Sequence, residues 1–147
     1  MENKFNFSSQ ICTTREQSER LLALGLKKET ADCYYWQETE PMYGEAVGIW
    51  NLETLDSKDN QEHFEYLDKN FGVCLADDEE HYFIPAWSLH RLLLIIPREV
   101  SIDGYIFPFR YDAVRHMNEA DDMYEYITGV LERTIKEGYF NKEYLKK

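Results

Sequence analysis

The segment 88–97 constrains the fold of this chain more than any other part of the sequence. Apolar residues fill it from 89 to 96, interrupted by His90 and Arg91, and a proline ends it. Ser88 is a favourable N-cap, so the segment predicts a short helix. A helix with so little polar surface must be covered on most sides. We therefore expect it to lie at the centre of the hydrophobic core.

Three other segments predict helices. Thr13 and Thr14 are each followed three residues later by Glu or Gln, which is capping-box spacing, so residues 13–24 predict a helix that ends at a glycine. Residues 121–136 place apolar side chains at helical spacing, with acids near the start and bases near the end. Residues 64–71 show apolar side chains at intervals of three and four, which predicts a shorter helix.

Short aromatic and β-branched runs predict strands at 33–37, 46–52, 81–85, 100–102 and 105–111. The last two flank Asp103 and Gly104, a dipeptide suited to a tight hairpin turn, and Pro108 favours an edge position for the returning strand. Residues 56–61 are polar and predict a loop. The order of elements lacks regular β–α–β alternation. It predicts one α+β domain over residues 1–147, with three to four helices on a small antiparallel sheet.

Negative charge is concentrated in the middle of the chain. The formal net charge is −12, and residues 37–81 hold thirteen acids against Lys58 and Lys69 alone. Such a block repels phosphate backbones, so we expect no direct binding to nucleic acid. The simplest interpretation is a solvated surface. Two alternatives stay open: an acidic surface that binds a basic protein, and a nucleic-acid mimic that inhibits a DNA-binding protein.

The cysteines and the apolar runs predict the cellular location of the protein. Cys12, Cys33 and Cys74 are odd in number and widely spaced in apolar or aromatic surroundings, which predicts reduced core thiols and not a disulfide framework. Residues 1–10 resemble no export signal, and the longest aliphatic run, 92–96, is far shorter than the roughly 20 residues that span a bilayer. We therefore expect a cytoplasmic protein that does not contact membranes.

Catalytic and cofactor-binding motifs are not found. The sequence contains no glycine-rich phosphate loop, HExxH, CxxC or GxSxG, so we expect no cofactor and no enzyme. Residues of metal-ligating type cluster at His63, Cys74, Asp77, Asp78, Glu79, Glu80 and His81. Their spacing matches no known ligand pattern, so we interpret the four acids as a charged turn. The weak metal candidates are His63, Asp77, Asp78 and His81. A small metal-dependent or hydrolytic enzyme is an alternative that requires His63 and His81 to converge in a pocket.

Aromatic residues make up 15% of the chain and are concentrated in its strand-like half. Most should be in the core, but aromatic side chains exposed beside acids would form a recognition surface for a protein. The candidates for such a surface are Asp77, Asp78, Glu79, Glu80, Trp36, Trp50 and Trp87. Our leading hypothesis is a non-enzymatic accessory or interaction protein that uses this acidic, aromatic-rich surface on a protein partner or for self-association.

Five segments occur in the order TTREQSERLLALGL, YYW, FIPAWSLHRLLLIIP, IDGY and YITGVLERTIKEGYF. This order, with its PAWSL entry into an apolar helix, resembles small uncharacterised proteins of prophages and mobile elements of Bacteroidetes. The resemblance covers most of the chain. It departs from the family pattern before the last helix, where Glu119, Ala120 and Asp121 replace an Asn-Pro entry. The resemblance implies an accessory role in a phage or mobile element and assigns no functional residues.

Overall fold

The fold combines helices with two small antiparallel sheets. The computed structural model describes residues 10–39, 46–70, 72 and 83–146. Their helices are α1 (Arg15–Ala23), α2 (Lys58–Asn70), α3 (Leu89–Ile95), α4 (Phe109–Met117) and α5 (Met123–Lys136). Their strands are β1 (Cys33–Thr39), β2 (Ala46–Thr54), β3 (Phe83–Ala86), β4 (Val100–Ile102) and β5 (Tyr105–Phe107). Short 3-10 helices cover Lys28–Thr30 and Lys142–Tyr144. The predicted α+β class is confirmed, with five helices in this part of the chain where three to four were expected.

The start of α1 follows the capping chemistry in the sequence. Thr14 is the N-cap, and its hydroxyl accepts a hydrogen bond from the backbone N–H of Gln17. The side chain of Gln17 in turn accepts one from the Thr14 N–H, which completes a capping box. Gly25 follows the helix with a φ of 97°, a left-handed conformation that glycine adopts without strain. The predicted helix is therefore confirmed at both ends.

The three-stranded sheet has the order β2-β1-β3, and both of its pairs are antiparallel. Tyr35 on the central strand lies opposite Leu52 on β2 and Ile84 on β3. The predicted strands at 33–37 and 46–52 are confirmed. Of the segment 81–85, the first two residues lie outside the described residues, and the remainder forms β3.

The hydrophobic core lies where α3 meets α1, α5 and the sheet. Leu92 and Ile96 of the α3 segment are fully buried, as are Ile127 and Leu131 on α5. Leu21 of α1 packs in the same cluster. Ser88 caps α3 by accepting a hydrogen bond from the Arg91 backbone N–H, so the prediction of a capped helix in the core is confirmed.

Two segments differ from their predicted structure. Residues 56–61 were expected to form a loop, but α2 begins at Lys58 because the Ser57 hydroxyl accepts the Asn60 backbone N–H and caps it. The strand predicted over 105–111 ends at Phe107, and α4 begins two residues later. Pro108 stands at the start of α4 with a φ of −77°, close to the value that begins a helix.

Cys12 and Cys33 form a disulfide bond, which corrects the expectation of reduced thiols. The fold brings them together because Cys33 pairs with Ala86 at the end of β3, and Cys12 forms an isolated β-bridge with Ser88, two residues further along the chain. A separation of 21 residues offered no local sign of this contact. Cys74 lies outside the described residues. No helix within the described ranges is long and apolar enough to cross a bilayer.

Candidate interaction surface

The acidic part of the predicted binding surface lies outside the described residues. It comprises Asp77, Asp78, Glu79 and Glu80, with His81 directly after them. A role for them in metal or partner binding therefore stays a prediction. Among the residues that the structure does describe, no group of three His, Cys, Asp or Glu side chains could hold a metal ion.

His63, the other histidine proposed as a ligand, packs into an aromatic cluster between α2 and β1. Its Nδ1 lies 2.8 Å from the hydroxyl oxygen of Tyr34, and its ring meets that of Trp36 edge to face at 4.8 Å. Burial lowers the pKa of His63, and a weaker attraction to Glu53 opposes this shift. Burial raises the pKa of Tyr34 to about 12. The contact therefore joins a neutral phenol to an imidazole that favours its neutral form, an arrangement that fastens α2 to the sheet.

The three tryptophans do not form an exposed aromatic surface. Trp87 is fully buried, and its indole N–H donates to the Thr30 hydroxyl at 3.0 Å, so its proposed role as a partner anchor is replaced by a role in the core. Trp36 is half-buried, and its buried indole N–H has no hydrogen-bond partner in the described part of the chain. Trp50 is also half-buried, with the guanidinium of Arg15 4.6 Å above its ring.

An exposed apolar surface lies instead on the hairpin of β4 and β5 and the first turn of α4. We call it the hairpin surface and define it by its five large side chains: Ile102, Tyr105, Ile106, Phe107 and Tyr111. Tyr105 is 78% exposed, while Ile106 and Tyr111 are each 71% exposed. Of the six strand residues of the hairpin, Val100 alone is buried. The hairpin is therefore anchored at its base, and the rest of it stands in solvent.

Both faces of this hairpin carry exposed apolar side chains. Val100, Ile102, Tyr105 and Phe107 share one face because Val100 lies opposite Phe107 and Ile102 opposite Tyr105. Ile106 lies on the other face, opposite Ser101. A two-stranded ribbon is marginally stable in water unless another element covers it. An exposed apolar area of this kind is typical of an interaction site.

A cavity of about 450 Å³ adjoins the hairpin surface. Its lining includes Arg98, Glu99, Pro108, Arg110 and Tyr111. Arg110 uses Nη2 to donate to the carbonyls of Leu94 and Ile96, at 2.9 Å each, while its Nε is buried without a partner among the described residues. Within that same part of the chain, neither arginine lies within 4.0 Å of a carboxylate. The cavity thus offers two cationic side chains and one carboxylate beside an apolar surface.

Sequence reasoning located the hairpin but not its exposure. The run Tyr105, Ile106, Phe107 is apolar at three consecutive positions, and a two-stranded hairpin can cover only one of its faces against a core. That run was the only feature of the sequence we identify that indicates an exposed apolar face. Tyr111 was assigned to the strand, so its position beside the hairpin at the start of α4 could not be anticipated.

The comparisons with known proteins supply no relative. No protein-family model, no curated protein and no solved structure shows significant similarity to this chain. The resemblance to mobile-element proteins of Bacteroidetes therefore stays a prediction.

Proposed function

We propose that this protein acts by binding another protein chain through the hairpin surface, and not by catalysis. The observation that carries the proposal is the exposure of Tyr105 and Ile106 on the ribbon and of Tyr111 beside it on α4, each more than two thirds accessible. Tyrosine is enriched at interfaces because it buries a large ring while its hydroxyl stays hydrogen-bonded. The proposal keeps the accessory or interaction role inferred from the sequence and moves it to a different surface.

The experiment that tests the proposal is affinity capture with three baits. The first is the wild-type chain, the second is a double variant, Tyr105→Ser with Tyr111→Ser, and the third is Tyr66→Ser as a matched control. Tyr66 lies on α2 and is 58% exposed, so its replacement removes an exposed tyrosine outside the hairpin surface. Each bait is exposed to host lysate and to a differently tagged copy of the chain itself.

A chain that is captured by the wild type and by Tyr66→Ser, and lost with the double variant, supports the proposal. Tyr105 and Tyr111 are exposed, so the double variant should fold normally, and its circular dichroism spectrum checks this. Equal capture by all three baits would place binding on another surface. Failure to capture either a host protein or the tagged copy would remove the interaction role altogether.

The two alternative functions find less support among the described residues. Mimicry of nucleic acid requires a row of carboxylates on one face, but the acids of α2 recur every three residues, which shifts each by about 60° around the helix, so the first and last lie on opposite sides: Asp59, Glu62, Glu65 and Asp68. Asp68 also forms an ion pair with Lys28 at 2.7 Å. A metal-dependent enzyme requires His63 to converge with other ligands, and among the described residues no group of three His, Cys, Asp or Glu side chains could hold a metal ion.

The working location depends on the state of the cysteines. The cytoplasm was expected because the thiols were taken to be reduced. Disulfides such as Cys12–Cys33 form and persist in oxidising compartments and are rare in the cytosol. The cytoplasmic location is therefore a proposal that requires this pair to be reduced in the cell, and a thiol count on rapidly alkylated protein tests it.

A further inference from the structure

The backbone of β5 presents an open edge at Ile106. The turn residues Asp103 and Gly104 have φ of 51° and 83°, as in a tight two-residue hairpin. Ile102 and Tyr105 are then the hydrogen-bonded pair next to the turn, so the following pair, Ser101 and Ile106, points its N–H and C=O groups outward. No other described strand pairs with either edge of this hairpin. The outward groups of Ile106 are therefore free to form a ladder with another chain.

We infer that this edge pairs with a second copy of the same chain, β5 against β5, across a two-fold axis at Ile106. The inference rests on the proposed function, because it names the partner of the hairpin surface. In an antiparallel pair centred on this residue, Ile106 of each copy exchanges two backbone hydrogen bonds with the other. The ladder is short, since Pro108 has no N–H and its carbonyl already accepts the Asp112 N–H.

The side chains around this axis complement themselves. The register places Tyr105 of each copy opposite Phe107 of the other, so this pair occurs twice. It places the two Ile106 side chains next to each other on the opposite face. Cross-strand aromatic pairs of this kind stabilise a sheet. The same ribbon thus supplies both halves of the contact.

The side chains also favour the β5 edge over the β4 edge. Pairing through β4 about Ser101 would place two small polar side chains at the axis, whereas pairing through β5 places two Ile106 side chains there. Val100 on β4 is buried, whereas all three residues of β5 are exposed.

The exposed area agrees with a modest dimer. The three side chains of β5 present on the order of 400 Å² per copy, given their exposed fractions and the size of such side chains. A stable interface buries about 800 Å² per partner, and backbone and neighbouring side chains supply part of the difference. The formal net charge of −12 on each copy opposes association. We therefore expect a reversible dimer that forms best where salt screens this repulsion.

Sedimentation equilibrium of the full chain at about 0.15 M salt, where the Debye length is about 8 Å, tests the inference. The wild type should approach twice the monomer mass as concentration rises. Ile106→Lys, which sets two cations against each other at the axis, should weaken the dimer about tenfold or more. Ile11→Lys, at a site 61% exposed outside the hairpin, is the matched control and should leave the dimer unchanged.

A cross-link identifies the axis directly. In a Cys74→Ser background, Ile106→Cys should form a disulfide-linked dimer on mild oxidation, because the two residues face each other, and Ser101→Cys on the other edge should not. A wild type that stays monomeric, a dimer that Ile106→Lys does not weaken, or equal cross-linking at both positions would each overturn the inference. If the wild type stays monomeric while a host protein is still captured through Tyr105 and Tyr111, the inference fails and the proposed function stands.

Discussion

The hydroxyl oxygen of Tyr34 lies 2.8 Å from Nδ1 of His63, which joins the central strand of the larger sheet to α2. Burial lowers the pKa of His63 in the folded chain, while in the unfolded chain it is about 6.5. The unfolded chain therefore binds this proton more tightly. The stability that the neutral imidazole maintains is fully present above about pH 6.5 and is lost as the pH falls through the lower, folded-state pKa.

We therefore expect the melting temperature of the wild type to fall as the pH decreases from about 7.5 to about 5.5, a range above the titration of ordinary carboxyl groups. His63→Gln removes the titrating group, so its melting temperature should be lower at neutral pH and should depend less on pH over this range. Circular dichroism melts of both proteins measure the difference. Parallel pH profiles would contradict the assignment of this titration to His63.

The disulfide between Cys12 and Cys33 should stabilise the folded state. In the chain-entropy model, closing a loop of this length contributes about 3 kcal/mol. Reductant should therefore lower the melting temperature of the wild type, and Cys12→Ser with Cys33→Ser should show the lower value without reductant. Cys74→Ser is the control and should respond to reductant as the wild type does. Unfolded protein should show one reactive thiol per chain before reduction and three after it. Three thiols at the outset would contradict the pairing.

Replacing Trp87 distinguishes a core residue from a binding residue. Trp87→Phe leaves a space in the core and removes the N–H that donates to Thr30, so we expect the free energy of unfolding to fall by about 1–3 kcal/mol. Trp50→Phe, at a half-buried site, should cost less. Urea unfolding followed by circular dichroism measures both. Unchanged stability of Trp87→Phe, together with loss of a bound partner, would restore the role in binding.

Two glycine substitutions should have effects of opposite sign. Gly129 lies inside α5, and a Cβ added there meets nothing within 4 Å, so Gly129→Ala should stabilise the protein by about 0.5–1 kcal/mol. Gly104 has equal space but a φ of +83°, so Gly104→Ala should strain the turn by about 1–2 kcal/mol. Thermal unfolding tests the first. Amide hydrogen exchange at 100–107 tests the second, because strain in an outlying hairpin raises local opening more than global unfolding. Equal effects of the two variants would contradict the assigned backbone conformations.

The elements that were predicted correctly are those whose signals are local. Thr14 and Gln17 form a capping box, Ser88 caps an apolar run, and Asp103 with Gly104 makes a tight turn, and each of these operates within about four residues. The helix α4 was missed because its nine residues follow directly after a strand, with a proline that suits either a strand edge or a helix start. Trp87 was wrongly predicted to contact a partner because the abundance of tryptophan says nothing about its burial.

By itself the sequence determined the α+β class, the capped helices and the central position of the apolar helix, because capping, periodicity and burial of an apolar run are decided by neighbouring residues. The tertiary structure decided the rest. It paired Cys12 with Cys33 across 21 residues, buried Trp87 against Thr30, and left Tyr105, Ile106 and Tyr111 in solvent. These outcomes depend on which segments pack against each other, and contacts between segments distant in sequence leave no pattern in either segment alone.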